Sequence, residues 1–140
     1  MITADQALAR YGYPKLERGL VLWDVPLDYE IGVLPKKLYC NRDLIAPLAH
    51  AFELLIDENL VGLIKTWDGC FNIRNSKAGR EFSLHSWALA IDINAAWNQF
   101  NRVPTMDKRI VQCFKRAGFD WGGEWRRPDG MHFQLKEFPK

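Results

Sequence analysis

The chain has 140 residues and a mass of 16.3 kDa, which is enough for one compact domain and predicts a single domain over residues 1–140. With 48% hydrophobic and 26% charged residues, its composition excludes disordered, collagen-like and coiled-coil proteins. The formal charge is only +2, and no apolar run approaches the ~18 residues of a membrane span. We therefore expect no nucleic-acid partner and no membrane segment.

The first half of the chain predicts two helices and a strand. Thr3 and Gln6 form a capping-box pattern, which predicts a short helix over Ala4–Tyr11. A stretch rich in Pro and Gly follows, with one strand predicted over Leu20–Val25. Apolar residues then recur at helical spacing and predict a second helix over about residues 48–59, with Pro47 as its start or a kink.

The second half predicts a strand over Leu60–Trp67 and a helix over Asp107–Ala117 that ends at Gly118. No repeat, low-complexity tract or linker interrupts this order. The pattern favours an α+β fold, in which a few helices pack against a small antiparallel sheet.

The three cysteines, Cys40, Cys70 and Cys113, are widely separated and form no Cys-x-x-Cys pair. We therefore expect buried apolar thiols, because this usage suits neither a disulfide framework nor a zinc-thiolate site. The N-terminus lacks a signal-peptide pattern, which predicts synthesis in the cytoplasm. A substrate outside the cell would then require a separate means of release.

Two of the three histidines, His85 and His132, lie in polar surroundings, and each is close to a segment in which residues of two kinds alternate. After Ala88, large apolar residues alternate with a second set of residues that are small or polar and include Asp92. His132 lies between two apolar residues, so it points away from their face. If these two strands are neighbours, Asp92 and His132 lie side by side on one open face. His85 is an odd number of residues from Asp92, so a turn or bulge near Ser86 is needed for all three to converge.

Two imidazoles and a carboxylate are the ligands of a catalytic zinc, which keeps a fourth position for water, although such a set also suits other divalent metals. Asp129, in the turn before His132, could act as general base on that water. Taken singly, His85 is an ordinary capped-loop histidine, Asp92 a strand-end carboxylate and Asp129 a turn residue. The metal-site interpretation depends on finding these residues together in one sequence. His50, on the polar side of the second helix, is not assigned to the site.

The spacing Ser83-x-His85, then Asp92, then Asp129-x-x-His132 resembles that of the zinc D,D-carboxypeptidase and L-alanyl-D-glutamate endopeptidase family. This family includes VanY-type carboxypeptidases and many phage endolysins. The resemblance extends from about Gly69 to Leu135 and includes a Trp-Gly-Gly-Glu-Trp stretch before the last histidine. It implies the Hedgehog/DD-peptidase-like variant of the α+β class. Ala88 stands where the family usually has Gly.

The resemblance implies that His85, Asp92 and His132 bind one Zn²⁺ and that Asp129 is the catalytic base. It also implies an arginine that stabilises the developing oxyanion, for which we favour Arg74 over Arg80; Arg80 would then contact substrate. Ser83 would hydrogen-bond the substrate, or else cap its own loop. The tryptophans of this region, Trp87, Trp121 and Trp125, line the groove or belong to the core, and the core is the commoner place for them.

The function implied is a zinc peptidase that cuts peptidoglycan stem peptides at the D-Ala-D-Ala or the L-Ala-D-Glu bond. We expect a monomeric phage or prophage endolysin, held in the cytoplasm until a holin releases it to act on the cell wall. The alternative is a non-catalytic zinc-bearing binding domain of the same fold, which would not need a base such as Asp129. A metal-dependent nuclease would require a basic groove that this composition does not offer.

Overall fold

The computed structural model describes residues 1–140, which form three α-helices and six β-strands. In chain order these are α1 Ala4–Tyr11, β1 Leu20–Asp24, β2 Lys37–Asn41, α2 Arg42–Asp57, β3 Trp67–Gly69, β4 Ala90–Ile93, α3 Lys108–Arg116, β5 Phe119–Trp121 and β6 His132–Leu135. The strands form two antiparallel sheets, a β1-β2 pair and a four-stranded sheet in the order β3-β4-β6-β5. The predicted α+β class is thus confirmed.

Side-chain caps determine where the helices begin. Helix α1 has the predicted bounds, and the Thr3 hydroxyl accepts a hydrogen bond from the Gln6 backbone at 3.1 Å. Helix α2 begins before the predicted start, because Asn41 caps it and the helix continues through Pro47. Asp107 caps α3 by accepting the N–H of Arg109 at 2.8 Å.

The predicted strand over Leu60–Trp67 is wrong. Its first part, Val61–Leu63, is a 3₁₀ turn, and only the three residues of β3 are extended and paired. The side-chain oxygen of Asn94 accepts the N–H of Lys65 at 2.7 Å. A side chain therefore satisfies a backbone donor here that a neighbouring strand would otherwise have to satisfy.

The four-stranded sheet has one face in the core and one at the site. Phe114 of α3 stacks on Phe133 of β6, with ring centroids 4.3 Å apart, and Ile91 and Ile93 of β4 are fully buried. Because side chains alternate along a strand, the intervening residues of β4 and β6 point to the opposite face. None of the three helices is long and apolar enough to cross a membrane.

Candidate metal centre and groove

The central strand pair brings two predicted ligands together. In the antiparallel register of β4 and β6, Asp92 lies directly opposite His132. Directly opposite residues share a face of the sheet, so the two side chains are neighbours. The two strands are therefore neighbours, which is the condition under which alternation places Asp92 and His132 side by side.

A 3₁₀ turn over Leu84–Trp87 places His85 on the same face. The hydroxyl of Ser83 caps this turn by accepting the N–H of His85 at 3.2 Å. Ala88 then adopts a left-handed conformation, with φ of 53°, before β4 begins. This is the turn that the odd spacing to Asp92 requires, and the left-handed residue is the position that is usually Gly in the family it resembles.

The three side chains converge on a single point. His85 Nε2 lies 3.1 Å from Asp92 Oδ1, His132 Nδ1 lies 3.4 Å from the same oxygen, and the two ring nitrogens are 3.2 Å apart. Tetrahedral zinc with bonds of about 2.0–2.1 Å separates its ligand atoms by roughly 3.3 Å. The spacing of these three atoms therefore fits a zinc ion.

Hydrogen bonds on the far side of each ring determine which nitrogen is free. His85 Nδ1 lies 2.7 Å from the Cys70 carbonyl oxygen, which can only accept, so Nδ1 carries the proton and Nε2 has the lone pair. His132 Nε2 lies 2.9 Å from Gln134 Oε1 and in the same way leaves Nδ1 free. The sequence did not lead us to assign a role to Gln134, although its spacing of two residues from His132 puts both side chains on the same face of β6.

Asp92 completes a set of three electron-pair donors that face one another. Its Oδ1 is buried and has no hydrogen-bond partner. An ionised carboxylate beside two ring lone pairs is a favourable arrangement only when a cation lies between them.

Asp129 is buried in the turn before β6 and is joined to this site through the backbone. Its carbonyl accepts the N–H of His132 at 3.1 Å, and its own N–H donates to Gly122 at 2.9 Å. Its Oδ1 lies 3.3 Å from Lys77 Nζ. Lys77 is 52 residues away in the chain, and no local pattern in the sequence pointed to this contact.

The two candidate arginines lie at different places on a short hairpin over residues 74–83. Its ends are joined by the N–H of Ser83, which donates to the Arg74 carbonyl at 2.9 Å, and the Ser86 hydroxyl bonds to the Arg74 backbone. Arg74 is half-buried and lines the cavity that contains His85. Arg80 is exposed near the tip of the hairpin and lines neither that cavity nor the adjoining one.

The adjoining cavity is a groove of about 220 Å³ that runs from His132 to the N-terminal residues 1–4. Ser83, Asp129 and Gln134 line it, together with the apolar side chains Phe82, Leu84 and Trp125. Arg74 and Lys77 line both the groove and the metal-site cavity. Among the tryptophans, Trp87 is a core residue with 2% exposure, whereas the Trp125 ring lies 5.2 Å from that of His132.

Comparisons with known proteins agree with this arrangement. Residues 76–135 match the family model described as D-alanyl-D-alanine carboxypeptidase. No curated protein and no solved structure is significantly similar to the chain. The matched segment contains the three converging side chains and Asp129, and it begins just after Arg74. Over these residues, which are less than half of the chain, the protein is similar to the D-alanyl-D-alanine carboxypeptidase family, the family that its residue spacing resembles.

Proposed function

We propose that this protein is a zinc-dependent peptidase that hydrolyses the peptide stems of bacterial peptidoglycan. The observation that carries the proposal is the convergence of His85 Nε2, His132 Nδ1 and the unpartnered Asp92 Oδ1 within 3.1–3.4 Å. These atoms lie inside the segment that matches the carboxypeptidase family. Two nitrogens and one oxygen leave the open position that a catalytic zinc needs.

When bound, zinc supplies Lewis-acid chemistry, which polarises the scissile carbonyl and makes a water molecule more acidic. In the proposed reaction Asp129 accepts a proton from the attacking water as the new C–O bond forms. The same carboxyl group then returns the proton to the amine nitrogen as the C–N bond breaks. Arg74, on the wall of the metal-site cavity, stabilises the negative charge that develops on the carbonyl oxygen.

The groove is where the stem peptide would bind. Phe82, Leu84 and Trp125 offer an apolar wall, and Arg74 and Lys77 place positive charge where the groove meets the metal site. Stem peptides carry small aliphatic side chains and free carboxylates, which complement these two features. Both the D-Ala-D-Ala and the L-Ala-D-Glu bonds are candidates for cleavage.

The test is to incubate the zinc-loaded protein with purified peptidoglycan and identify the new termini by mass spectrometry. Release of D-alanine indicates carboxypeptidase activity, and a new amino-terminal D-glutamate indicates endopeptidase activity. The variant His132→Ala, which removes one ligand, should yield neither product. A wild-type protein that binds one equivalent of zinc and yields no new termini would instead be a zinc-bearing binding domain.

A lytic role in a phage or prophage is the biological setting that we propose for this activity. The monomeric enzyme would be made in the cytoplasm and reach the wall only through a holin. Expression in a bacterial host should then leave cells intact until a holin is co-expressed, and lysis should follow. Lysis that is equally fast with the His132→Ala variant would show that the holin alone is responsible.

A further inference from the structure

Lys77 is the cation that joins the proposed base to the groove. Only Lys77 and Arg74 line both the groove and the metal-site cavity, so these two cations lie where the two cavities meet. The guanidinium of Arg74 bonds to the Asn75 carbonyl oxygen at 3.1 Å. Lys77 Nζ instead lies 3.3 Å from Asp129 Oδ1. Of the two cations, Lys77 is therefore the one in contact with the proposed base.

The ammonium group of Lys77 has bonding capacity left for a ligand. Such a group carries three N–H donors. Asp129 Oδ1 accepts from one of them, and a second has only the sulfur of Met131, a weak acceptor, at 3.6 Å. The Lys77 side chain is 30% exposed, whereas that of Asp129 is 7% exposed. The ammonium group is thus paired on its buried side and open on the side of the groove.

The hairpin over residues 74–83 holds Lys77 at this place. The N–H of the preceding residue, Ser76, donates to the Glu81 carbonyl across the hairpin at 2.8 Å. The N–H of Gly79 donates to the Ser76 carbonyl at 3.3 Å and closes the turn around Lys77. Its position next to Asp129 is therefore supported by backbone hydrogen bonds.

The two bonds proposed for cleavage share a chemical feature on the leaving side. In D-Ala-D-Ala, the departing amine is the α-amino group of a residue with a free terminal carboxylate. In L-Ala-D-Glu, the D-glutamate continues the stem through its side-chain carboxyl group, so its α-carboxylate is also free. In both cases the departing nitrogen and the carboxylate carbon are bonded to one Cα atom and lie about 2.5 Å apart.

This short separation brings the substrate carboxylate close to the proposed base. Asp129 has to come within about 3 Å of the departing nitrogen to return a proton to it. The carboxylate on the same Cα atom then lies near Asp129, and two anionic groups at that distance repel each other. A cation that contacts both groups offsets the repulsion and binds the substrate, and Lys77 already contacts one of them.

We propose that Lys77 is a specificity-determining residue that binds the free α-carboxylate on the leaving side of the scissile bond. The substrates are then amides whose departing residue is an α-amino acid with an ionised carboxylate, and amidation of that carboxylate makes a poor substrate. The inference rests on the proposed function, because it takes Asp129 as the base and a stem peptide as the substrate. It deepens that function by assigning Lys77 and by defining which stem peptides are accepted.

Two pairs of peptides test the proposal. One pair ends in D-Ala-D-Ala with either a free carboxylate or a carboxamide, and the other contains L-Ala-D-Glu with its α-carboxylate either free or amidated. The readout is the acid-to-amide ratio of kcat/KM for the zinc-loaded protein. Calorimetry with the metal-free protein gives the same ratio for binding alone. We expect the wild type to prefer the acid about 10–100-fold in the pair that it cleaves, the range for a hydrogen bond to a charged group.

Variants at Lys77 should change this ratio. Lys77→Met keeps the length of the side chain without its charge, so the ratio should fall to near 1, mainly through weaker use of the acid. Lys77→Arg keeps the charge and should retain most of the preference. Lys108→Met, at the exposed start of α3 and lining neither cavity, is the matched control and should keep the wild-type ratio. Zinc content should be the same in all four proteins.

Several results would overturn the proposal. If Lys77→Met slows the acid and the amide equally, Lys77 only supports Asp129, because that effect cancels in the ratio. If Arg74→Ala abolishes the preference, the carboxylate binds Arg74 instead. Should Lys77→Met fail to fold, the wild type still decides, since equal treatment of acid and amide refutes the assignment. A wild-type protein that binds the acid preferentially, loses this preference in Lys77→Met and cleaves neither peptide would refute the proposed function alone.

Discussion

Asp129 is the residue whose replacement should separate metal binding from hydrolysis. The change Asp129→Asn keeps the size of the side chain but removes its ability to accept a proton. We expect zinc content to be unchanged and kcat on a stem peptide to fall by about 100-fold or more, the range for loss of a general base. Asp28→Asn, at an exposed position that lines neither cavity, serves as control. Near-wild-type turnover in Asp129→Asn would make Asp129 a turn residue only.

Two arginines near the site should differ in their effect on the rate. Arg74 lines the metal-site cavity and is half-buried, whereas Arg80 is exposed on the hairpin. A cation that stabilises an oxyanion acts in the transition state, so Arg74→Ala should lower kcat by about 100-fold and leave zinc content unchanged. Arg80→Ala should at most raise KM. Steady-state kinetics showing the kcat loss in Arg80→Ala would assign the electrostatic role to Arg80.

At the scale of elements, the 3₁₀ turn over Gly122–Glu124 is packed against the turn that carries Asp129. A Cβ atom on Gly122 would lie 2.6 Å from the Asp129 carbonyl oxygen and 3.3 Å from the Cβ atom of His132. The requirement for glycine here arises from close packing of two backbone segments. The family-like Trp-Gly-Gly-Glu-Trp stretch thus contributes to the position of Asp129, the proposed base, and of His132, a proposed ligand.

Gly122→Ala should therefore disturb both stability and the site. We expect the free energy of unfolding to fall by about 1–3 kcal/mol, the usual cost of overpacking, together with weaker zinc binding. Gly62→Ala is the matched control, because a Cβ atom there would meet nothing within 4 Å. Its stability should stay within about 0.5 kcal/mol of wild type. Equal denaturation midpoints for the two variants would show that the Gly122 contact relaxes without cost.

For the whole molecule, zinc should act as a stabilising ligand, because its site exists only when β4, β6 and the turn at His85 are assembled. At a free zinc concentration of 100 times Kd, the gain is about 2.7 kcal/mol, which corresponds to a rise in Tm of roughly 8 °C for a chain of this size. Calorimetry with and without zinc measures the shift. His132→Ala should abolish it, and an undiminished shift in that variant would place the metal elsewhere.

The thiols are a whole-molecule feature that the sequence predicted correctly. All three cysteines are free and buried, and burial raises the pKa of both Cys40 and Cys113 to about 11. The structure therefore contains no disulfide, as the odd count and the wide spacing had indicated. Cys70 contributes to the candidate metal centre through its backbone, because its carbonyl oxygen bonds to His85 Nδ1 and orients the ring.

Features that depend on neighbours in the chain were visible in the sequence. The capping box at Thr3 predicted α1 with its observed bounds, and alternation predicted that Asp92 and His132 share a face. The resemblance to the zinc peptidases depended on residue spacing within a single segment, which the family comparison matches in turn. Caps, strand alternation and motif spacing are local properties, so the sequence alone was enough to predict them.

Only the tertiary structure decided the features that depend on distant contacts. The strand predicted at Leu60–Trp67 failed because Asn94 binds the backbone there, and nothing near residue 60 encodes that partner. The contact of Lys77 with Asp129 and the exposure of Arg80 likewise depend on how the hairpin packs. Sequence spacing establishes which face a side chain occupies, but strand register and loop packing determine which side chains meet across that face.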